Sequence, residues 1–237
     1  MAFDALHDAG PTPAGGGDAY ASTRARVERY FDGTATRAWE DLTSDAPVSG
    51  IRRTVRAGRD RMRAAMLDRL PRDLRGARVL DAGCGTGAKT AALAARGATV
   101  VAVDVSPKLL GIAAKRLDPA VSSRVSFRAA DMFDPALGAF DAVVAQDSMI
   151  YYAAPELAGR LNALAPRAGR ILFSLAPRTP LLMAMFWAGK AFPRADRSPA
   201  MVPHSAAALA PRLDGTLQEV ERVTSGFYIS TCLELCA

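Results

Sequence analysis

The chain has 237 residues, half of them hydrophobic, 7% aromatic and 23% charged. That is enough apolar material for one α/β domain with a core and some additions, and too much for a disordered chain. The net charge is +6, and residues 51–78 alone hold ten arginines against Asp60, Asp68 and Asp73, so the charge permits an anionic small molecule, nucleic acid or an anionic membrane surface as partner.

Three cysteines (Cys84, Cys232, Cys236) are too few and too clustered for a disulfide framework and predict a reducing cytoplasm. His7 and His204 are the only histidines and stand far apart, so a protein-bound metal is not expected. Met1 to Ala21 lacks a basic start followed by an apolar core, and no apolar run reaches about 18 residues, so neither a secretory signal nor a spanning helix is expected.

Residues 1–21, with Gly10-Pro11 and Gly15-Gly16-Gly17, read as a flexible tail. Residues 22–77 read as a helical cap. In it, residues 22–45 are helical and then break, with Ser22 as cap, Val27, Tyr30 and Phe31 as apolar face, and Trp39 as a further aromatic. Residues 48–70 form an amphipathic helix with Val55, Met62, Met66 and Leu70 on one side and Arg52, Arg56, Arg59 and Arg63 beside it. Pro71 ends that helix. Its arginine stripe is either a solvated face or a row of bidentate ligands for carboxylates or a membrane surface.

The domain proper spans 78–237. Val79-Leu80-Asp81-Ala82-Gly83-Cys84-Gly85-Thr86-Gly87 reads as a buried strand that ends in a glycine-rich turn and opens a helix running to about Arg96. Glycines remove side chains where backbone must come close to a ligand, and the helix start aims free N–H groups at it. Asp104 closes the second strand, Thr99–Val103. Strand, glycine turn, helix, strand and acid form a Rossmann-like nucleotide half-site. Ser106-Pro107 starts a helix to about Leu117. Val125–Ala130 is a third strand, followed by Asp131-Met132. Phe140–Ala145 is a fourth, followed by Gln146-Asp147-Ser148. A helix from Pro155 to Leu164, a fifth strand over Gly169–Leu175, and a closing strand pair, Leu217–Val223 and Phe227–Leu235, complete the pattern. Residues 176–205 fall outside the minimal domain. With Leu181-Leu182-Met183-Ala184-Met185-Phe186-Trp187 they read as a lid over the site, suited to a large flat apolar ligand. In an open α/β sheet the site collects at the carboxyl ends of the strands.

The nonapeptide V-L-D-A-G-C-G-T-G resembles the first motif of the class I S-adenosylmethionine (SAM) methyltransferases. A NAD-type site is the alternative; its third glycine would fall at Ala88, where alanine can substitute, so the full nonapeptide and not that spacing favours the SAM motif. Four stretches carry a narrower resemblance: Tyr30-Phe31-Asp32 with Ala38-Trp39; Val55-Arg56-Ala57-Gly58-Arg59; Asp147-Ser148-Met149-Ile150-Tyr151-Tyr152; and Phe173-Ser174-Leu175-Ala176-Pro177-Arg178-Thr179-Pro180-Leu181-Leu182. From about residue 25 to the C-terminus the chain looks like the magnesium-protoporphyrin IX O-methyltransferases of bacteriochlorophyll synthesis.

The resemblance implies an α/β fold: a Rossmann-like seven-stranded class I methyltransferase sheet with an N-terminal helical extension and a lid after the fifth strand. It implies methyl transfer from SAM to a propionate of Mg-protoporphyrin IX, whose magnesium belongs to the substrate. Cofactor-binding residues are then Asp81, Gly83, Cys84, Gly85, Gly87, Asp104 and Val105, with Asp131, Met132 and Gln146. Substrate-binding residues are Arg59, Ser148, Arg178 and Trp187. Tyr30 and Tyr151 position the propionate; some relatives carry histidine where this chain has Tyr151, so a histidine-dependent step does not carry over to that position. The family further implies a cytoplasmic protein in peripheral contact with the photosynthetic membrane, served by the porphyrin-binding subunit of magnesium chelatase. The remaining alternatives are another apolar small-molecule carboxylate or hydroxyl as acceptor, a porphyrin-binding partner without activity, and an RNA methyltransferase. Against the last, Gln146-Asp147-Ser148-Met149 replaces the [N/D]-P-P-[Y/F] string of amino-group base methylators, and no nucleic-acid partner is expected.

Overall fold

The computed structural model describes residues 16–33, 35–44, 46–178 and 199–236. Three helices come first: α1 (Gly16–Phe31), α2 (Thr36–Leu42) and α3 (Gly50–Asp68). The alternating unit follows as β1 (Arg78–Ala82), α4 (Ala88–Ala95), β2 (Thr99–Asp104), α5 (Pro107–Arg116), β3 (Val125–Ala129), β4 (Ala142–Ala145), α6 (Ala154–Leu164) and β5 (Ile171–Leu175). The antiparallel pair β6 (Thr216–Ser225) and β7 (Tyr228–Cys236) closes the chain. The seven strands form one sheet in the order β3-β2-β1-β4-β5-β7-β6, with β7 antiparallel to β5.

Residues of β1, β4 and β5 are buried along nearly their whole length, as expected for parallel strands covered on both faces. The pleat sends Leu80 and Ala82 to the face covered by α1 and α6, and Val79 to the face covered by α3 and α4. On that second face Met62 and Met66 of α3 are fully buried, each contributing about 2 kcal/mol by removal of apolar surface from water. On the basic face of α3, Arg56 and Arg59 turn toward the sheet end, while Arg69, just past the helix, and Arg170, just before β5, both pair with the buried Glu234 of β7.

Most boundaries agree with the sequence to within two residues. Ser106 caps α5 with Pro107 at its first position, and Ser49 accepts from Arg52 N at the start of α3. The exception is the N-terminus. The helix begins at Gly16, inside the stretch expected to be a flexible tail, and Ser22 is an interior residue whose hydroxyl donates to Ala19 O. Tertiary packing overrides the glycine signal: Tyr20 is buried, stacks on Tyr152 at 4.8 Å and donates to Asp131 Oδ1 at 2.6 Å. Of the expected lid, residues 179–198 lie outside the described residues, Trp187 among them. Its two ends meet in a parallel bridge between Pro177 and His204.

Candidate active site

A cavity of about 430 Å³ opens at the carboxyl ends of β1, β2 and β4, roofed by α2 and α3. Its floor is the β1–α4 turn. Gly83, Gly85 and Gly87 all have positive φ (73°, 55° and 85°), which glycine adopts without steric cost. At Gly83 the need is also spatial, since a Cβ there would lie 2.3 Å from Ser148 Cβ. Ser148 Oγ in turn donates to Ala82 O at 2.7 Å, so the segment after β4 is keyed to the end of β1.

Asp104 holds this turn. Its Oδ2 accepts from Gly85 N and its Oδ1 from Ser106 N, each at 2.9 Å. Burial raises its pKa, against the lowering effect of those backbone N–H groups. Burial likewise raises the Cys84 thiol well above its ordinary value, so it stays protonated. Asp81 is wholly buried beneath the turn. Its Oδ1 lies 3.0 Å from Lys89 Nζ and its Oδ2 accepts from Thr90 Oγ1 at 2.6 Å, which ties the first turn of α4 to β1.

The N-terminal layer closes the opposite side. Asp32, at the end of α1, accepts from Ser106 Oγ and Lys108 N, and the Lys108 N–H is the main cause of its lowered pKa. Arg56 donates to three carbonyls, Leu42, Asp41 and Ala46. Arg116 reaches the same loop at Thr43 O, Thr43 Oγ1 and Glu40 O, and Thr86 Oγ1 donates to Thr43 Oγ1. The loop after α2 is thereby fastened across the glycine turn.

Arg59 enters the cavity from α3. Its guanidinium lies over the Trp39 ring at 4.5 Å, and its Nη1 donates to Asp147 Oδ2 at 2.5 Å. Gln146 Nε2 donates to the Arg59 carbonyl at 2.8 Å. Asp147 has φ 55°, a left-handed backbone that costs a non-glycine residue on the order of 1–3 kcal/mol unless its surroundings enforce it. They do: Ser174 Oγ accepts from Asp147 N and donates to Asp147 Oδ1, and Tyr228 OH donates to Asp147 Oδ1 at 3.0 Å. Burial raises the Tyr151 and Tyr228 hydroxyls above their ordinary values, so both stay neutral.

The structure brings most of the expected residues to this cavity. Gly83, Cys84, Gly85, Asp104 and Val105 line it from the turn and β2; Met132, Gln146, Ser148 and Tyr151 line it from the loops after β3 and β4, and Arg59 from α3. Gly87 caps α4 with Ala113 close behind it. Asp131 stands at the α1 side, bonded to Tyr20 and to Phe133 N. Tyr30 is half-buried and packs edge-on against Phe31 at 5.0 Å; Phe31 itself lines the cavity. Arg178 goes elsewhere. It is exposed and lines a smaller hollow beside His204, Ser205 and Arg222, held there because its N–H donates to His204 O. His204 is kept neutral by burial, its Nε2 bonded to Tyr152 O. Sequence reasoning did not select Asp147, Tyr20, Arg56 or Arg116. Of these, Asp147 had a sequence signal in the string after the fourth strand, and Arg56 had one in the arginine stripe of α3. Among the described residues no group of three or more His, Cys, Asp or Glu side chains is placed to hold a metal.

Comparison with known proteins agrees with this fold. Residues 79–166 match a methyltransferase-domain family model, and residues 145–237 match the model described as magnesium-protoporphyrin IX methyltransferase C-terminus. The chain is 57% identical over 217 residues to magnesium-protoporphyrin O-methyltransferase of Rhodobacter capsulatus, covering 91% of this chain and 97% of that one. It is 28% identical over 216 residues to the Synechocystis protein of the same name, covering 88% and 94%. The crystal structure of magnesium protoporphyrin IX methyltransferase from Synechocystis PCC 6803 with bound SAH superposes with a TM-score of 0.76 at 27% identity, covering 90% of this chain and 98% of that one. With a SAM-type glycine turn, a seven-stranded sheet of this order and likeness to these proteins over nearly its whole length, the chain belongs to the magnesium-protoporphyrin O-methyltransferase family.

Proposed function

We propose that the protein transfers the methyl group of SAM to a propionate carboxylate of Mg-protoporphyrin IX, giving the monomethyl ester, as a step of bacteriochlorophyll synthesis. The observation that carries this reading is the 57% identity to the R. capsulatus enzyme over nearly all of both chains. The cavity fits the donor: a side-chain-free turn at Gly83 and Gly85 faces it, and the Asp104 carboxylate, already fixed by two N–H groups, is an acceptor matched to ribose hydroxyls.

When bound, SAM supplies an electrophilic methyl group, whose bond to sulfur breaks as the bond to a propionate oxygen forms. The acceptor is already ionised near neutral pH, so the chain needs no strong base. The protein's work is alignment and exclusion of water. Gly83, Gly85 and Gly87 admit the donor's methionine portion, and Asp104 takes the ribose. Cys84, Val105, Asp131, Met132 and Gln146 surround the remainder. Asp81 acts through the turn, since its oxygens are engaged by Lys89 and Thr90. Arg59, with Ser148, receives the substrate's carboxylate, and Tyr151, a neutral donor at the cavity wall, orients the propionate together with Tyr30.

The site residues form one domain, capped by the N-terminal helices α1 to α3. The substrate comes from the porphyrin-binding subunit of magnesium chelatase, at the photosynthetic membrane. Exposed Ile51 and Phe227, with Arg52 and Arg53, support a peripheral contact there; no helix among the described residues is long and apolar enough to cross a membrane. The deciding experiment is the product mass after incubation with SAM and Mg-protoporphyrin IX. A monomethyl ester is expected; unchanged porphyrin in the presence of bound SAM overturns the reading.

A further inference from the structure

We propose that Asp147 is a positioning residue that presents Arg59 to an incoming carboxylate. The proposal rests on the reading of Arg59 as the substrate's carboxylate partner. Asp147 is the one non-glycine residue with positive φ among the described residues. Three residues hold it in that conformation and orient its carboxylate: Ser174 through two hydrogen bonds, the Tyr228 hydroxyl shared between both carboxylate oxygens, and Arg59 through one. Tyr228 can stand there because position 58 is glycine; a Cβ at Gly58 would lie 2.5 Å from its ring.

The result is a guanidinium fixed from three sides. The Trp39 ring covers one flat face, Gln146 holds the backbone behind it, and Asp147 holds one nitrogen, Nη1. Among the described residues no other Arg59 side-chain nitrogen has an acceptor. Arginine has five N–H donors in a rigid fork, so fixing one nitrogen leaves the remaining donors aimed in a set direction in the cavity that Arg59 lines. Freed from Asp147, the same side chain keeps its charge and loses its direction. A carboxylate could come from the porphyrin or from the amino-acid end of the methyl donor, and the two sources are separable by experiment.

The test compares Asp147→Asn, Tyr228→Phe, Arg59→Ala and the Arg59→Ala/Asp147→Asn double variant. Asparagine tolerates the left-handed backbone about as well as aspartate, so the first variant removes the charge and leaves the conformation. SAM affinity is measured by calorimetry, and KM for Mg-protoporphyrin IX and kcat by product formation. Loss of a charge-assisted hydrogen bond predicts that Asp147→Asn raises the porphyrin KM roughly tenfold, with kcat and SAM affinity near wild type. Tyr228→Phe should raise it about twofold to threefold. The double variant should match Arg59→Ala, because a positioning group has nothing left to position. If Arg59→Ala raises KM and Asp147→Asn does not, the positioning role is wrong and the reading of Arg59 stands. Effects that add in the double variant would mark a purely structural role and overturn the proposal. If Arg59→Ala leaves the porphyrin KM unchanged, the substrate reading of Arg59 is wrong. Should both single variants then weaken SAM binding in parallel, the presented carboxylate is the donor's and Asp147 keeps its role.

Discussion

The two walls of the cavity are made in different ways. The glycine-turn wall comes from one strand–turn–helix–strand unit, in which Gly83, Gly85 and Asp104 are near neighbours along the chain and bond through backbone N–H groups. The arginine wall joins Arg59 to Asp147 across 88 positions, Asp147 to Tyr228 across 81 and to Ser174 across 27, almost wholly through side chains. Damage to the first wall is therefore expected to act on backbone geometry and on the methyl donor. Damage to the second should leave the fold standing and act on direction.

The largest effect is expected from Gly83→Ala. A left-handed alanine and a Cβ 2.3 Å from Ser148 Cβ add strain and overpacking, together about 2–5 kcal/mol. The melting temperature should fall by roughly 10 °C, and calorimetry should detect no SAM binding. A variant that melts like wild type and still binds SAM would break the description of the turn. Asp104→Ala comes next. Removing a charged acceptor of two hydrogen bonds should weaken SAM binding by about 100-fold or more, with less effect on melting than Gly83→Ala.

The same residue sets a pH dependence. Burial raises the folded-state pKa of Asp104, so folding disfavours its ionised form. Its contribution to the stability of the ligand-free protein therefore improves as pH falls through the raised value. SAM affinity moves the opposite way, lost as the proton occupies the acceptor, in a window that begins above the ordinary carboxylate value of 3.8. Calorimetric titrations across pH should show this in the wild type and not in Asp104→Asn.

Gly58→Ala probes the arginine wall. Alanine gains about 1 kcal/mol of helix propensity, while its Cβ at 2.5 Å displaces the Tyr228 ring. Stability should change by less than about 2 kcal/mol in either direction, and the porphyrin KM should rise a few-fold with SAM affinity kept. If SAM binding weakens instead, the two walls are not separable. The smallest effect belongs to Arg75→Ala. Its pair with Asp73 is largely exposed and lies outside both walls, so the melting temperature should move by no more than about 2 °C.

The same contrast explains what could be read before the fold was known. The turn was legible because Val79 to Gly87 and Asp104 encode local backbone requirements, and Ser106-Pro107 states its own helix start. Of the ten expected residues that line the cavity, Gly83, Cys84, Gly85, Asp104 and Val105 reach it for that reason. The start of α1 was not legible, since Gly15-Gly16-Gly17 argues against a helix and only the stacking of Tyr20 on Tyr152 reverses it. Asp147 stood in a quoted string, yet its left-handed backbone depends on Ser174 and Tyr228, which no local pattern announces. Arg178 follows from the resemblance of the Phe173–Leu182 string, at the start of the expected lid, and the bridge between Pro177 and His204 carries it away.

Arg56 shows how sharply a single roof position can be specified. Its fork meets three carbonyl oxygens belonging to Leu42, Asp41 and Ala46, two of them shared by one terminal nitrogen. A lysine would bring the same charge to the same place as a compact tip unable to span those acceptors together. The requirement at this position is thus a count of donors and the width between them. Charge-preserving substitutions that a surface tolerates freely would leave this loop with orphaned carbonyls directly above the glycine turn.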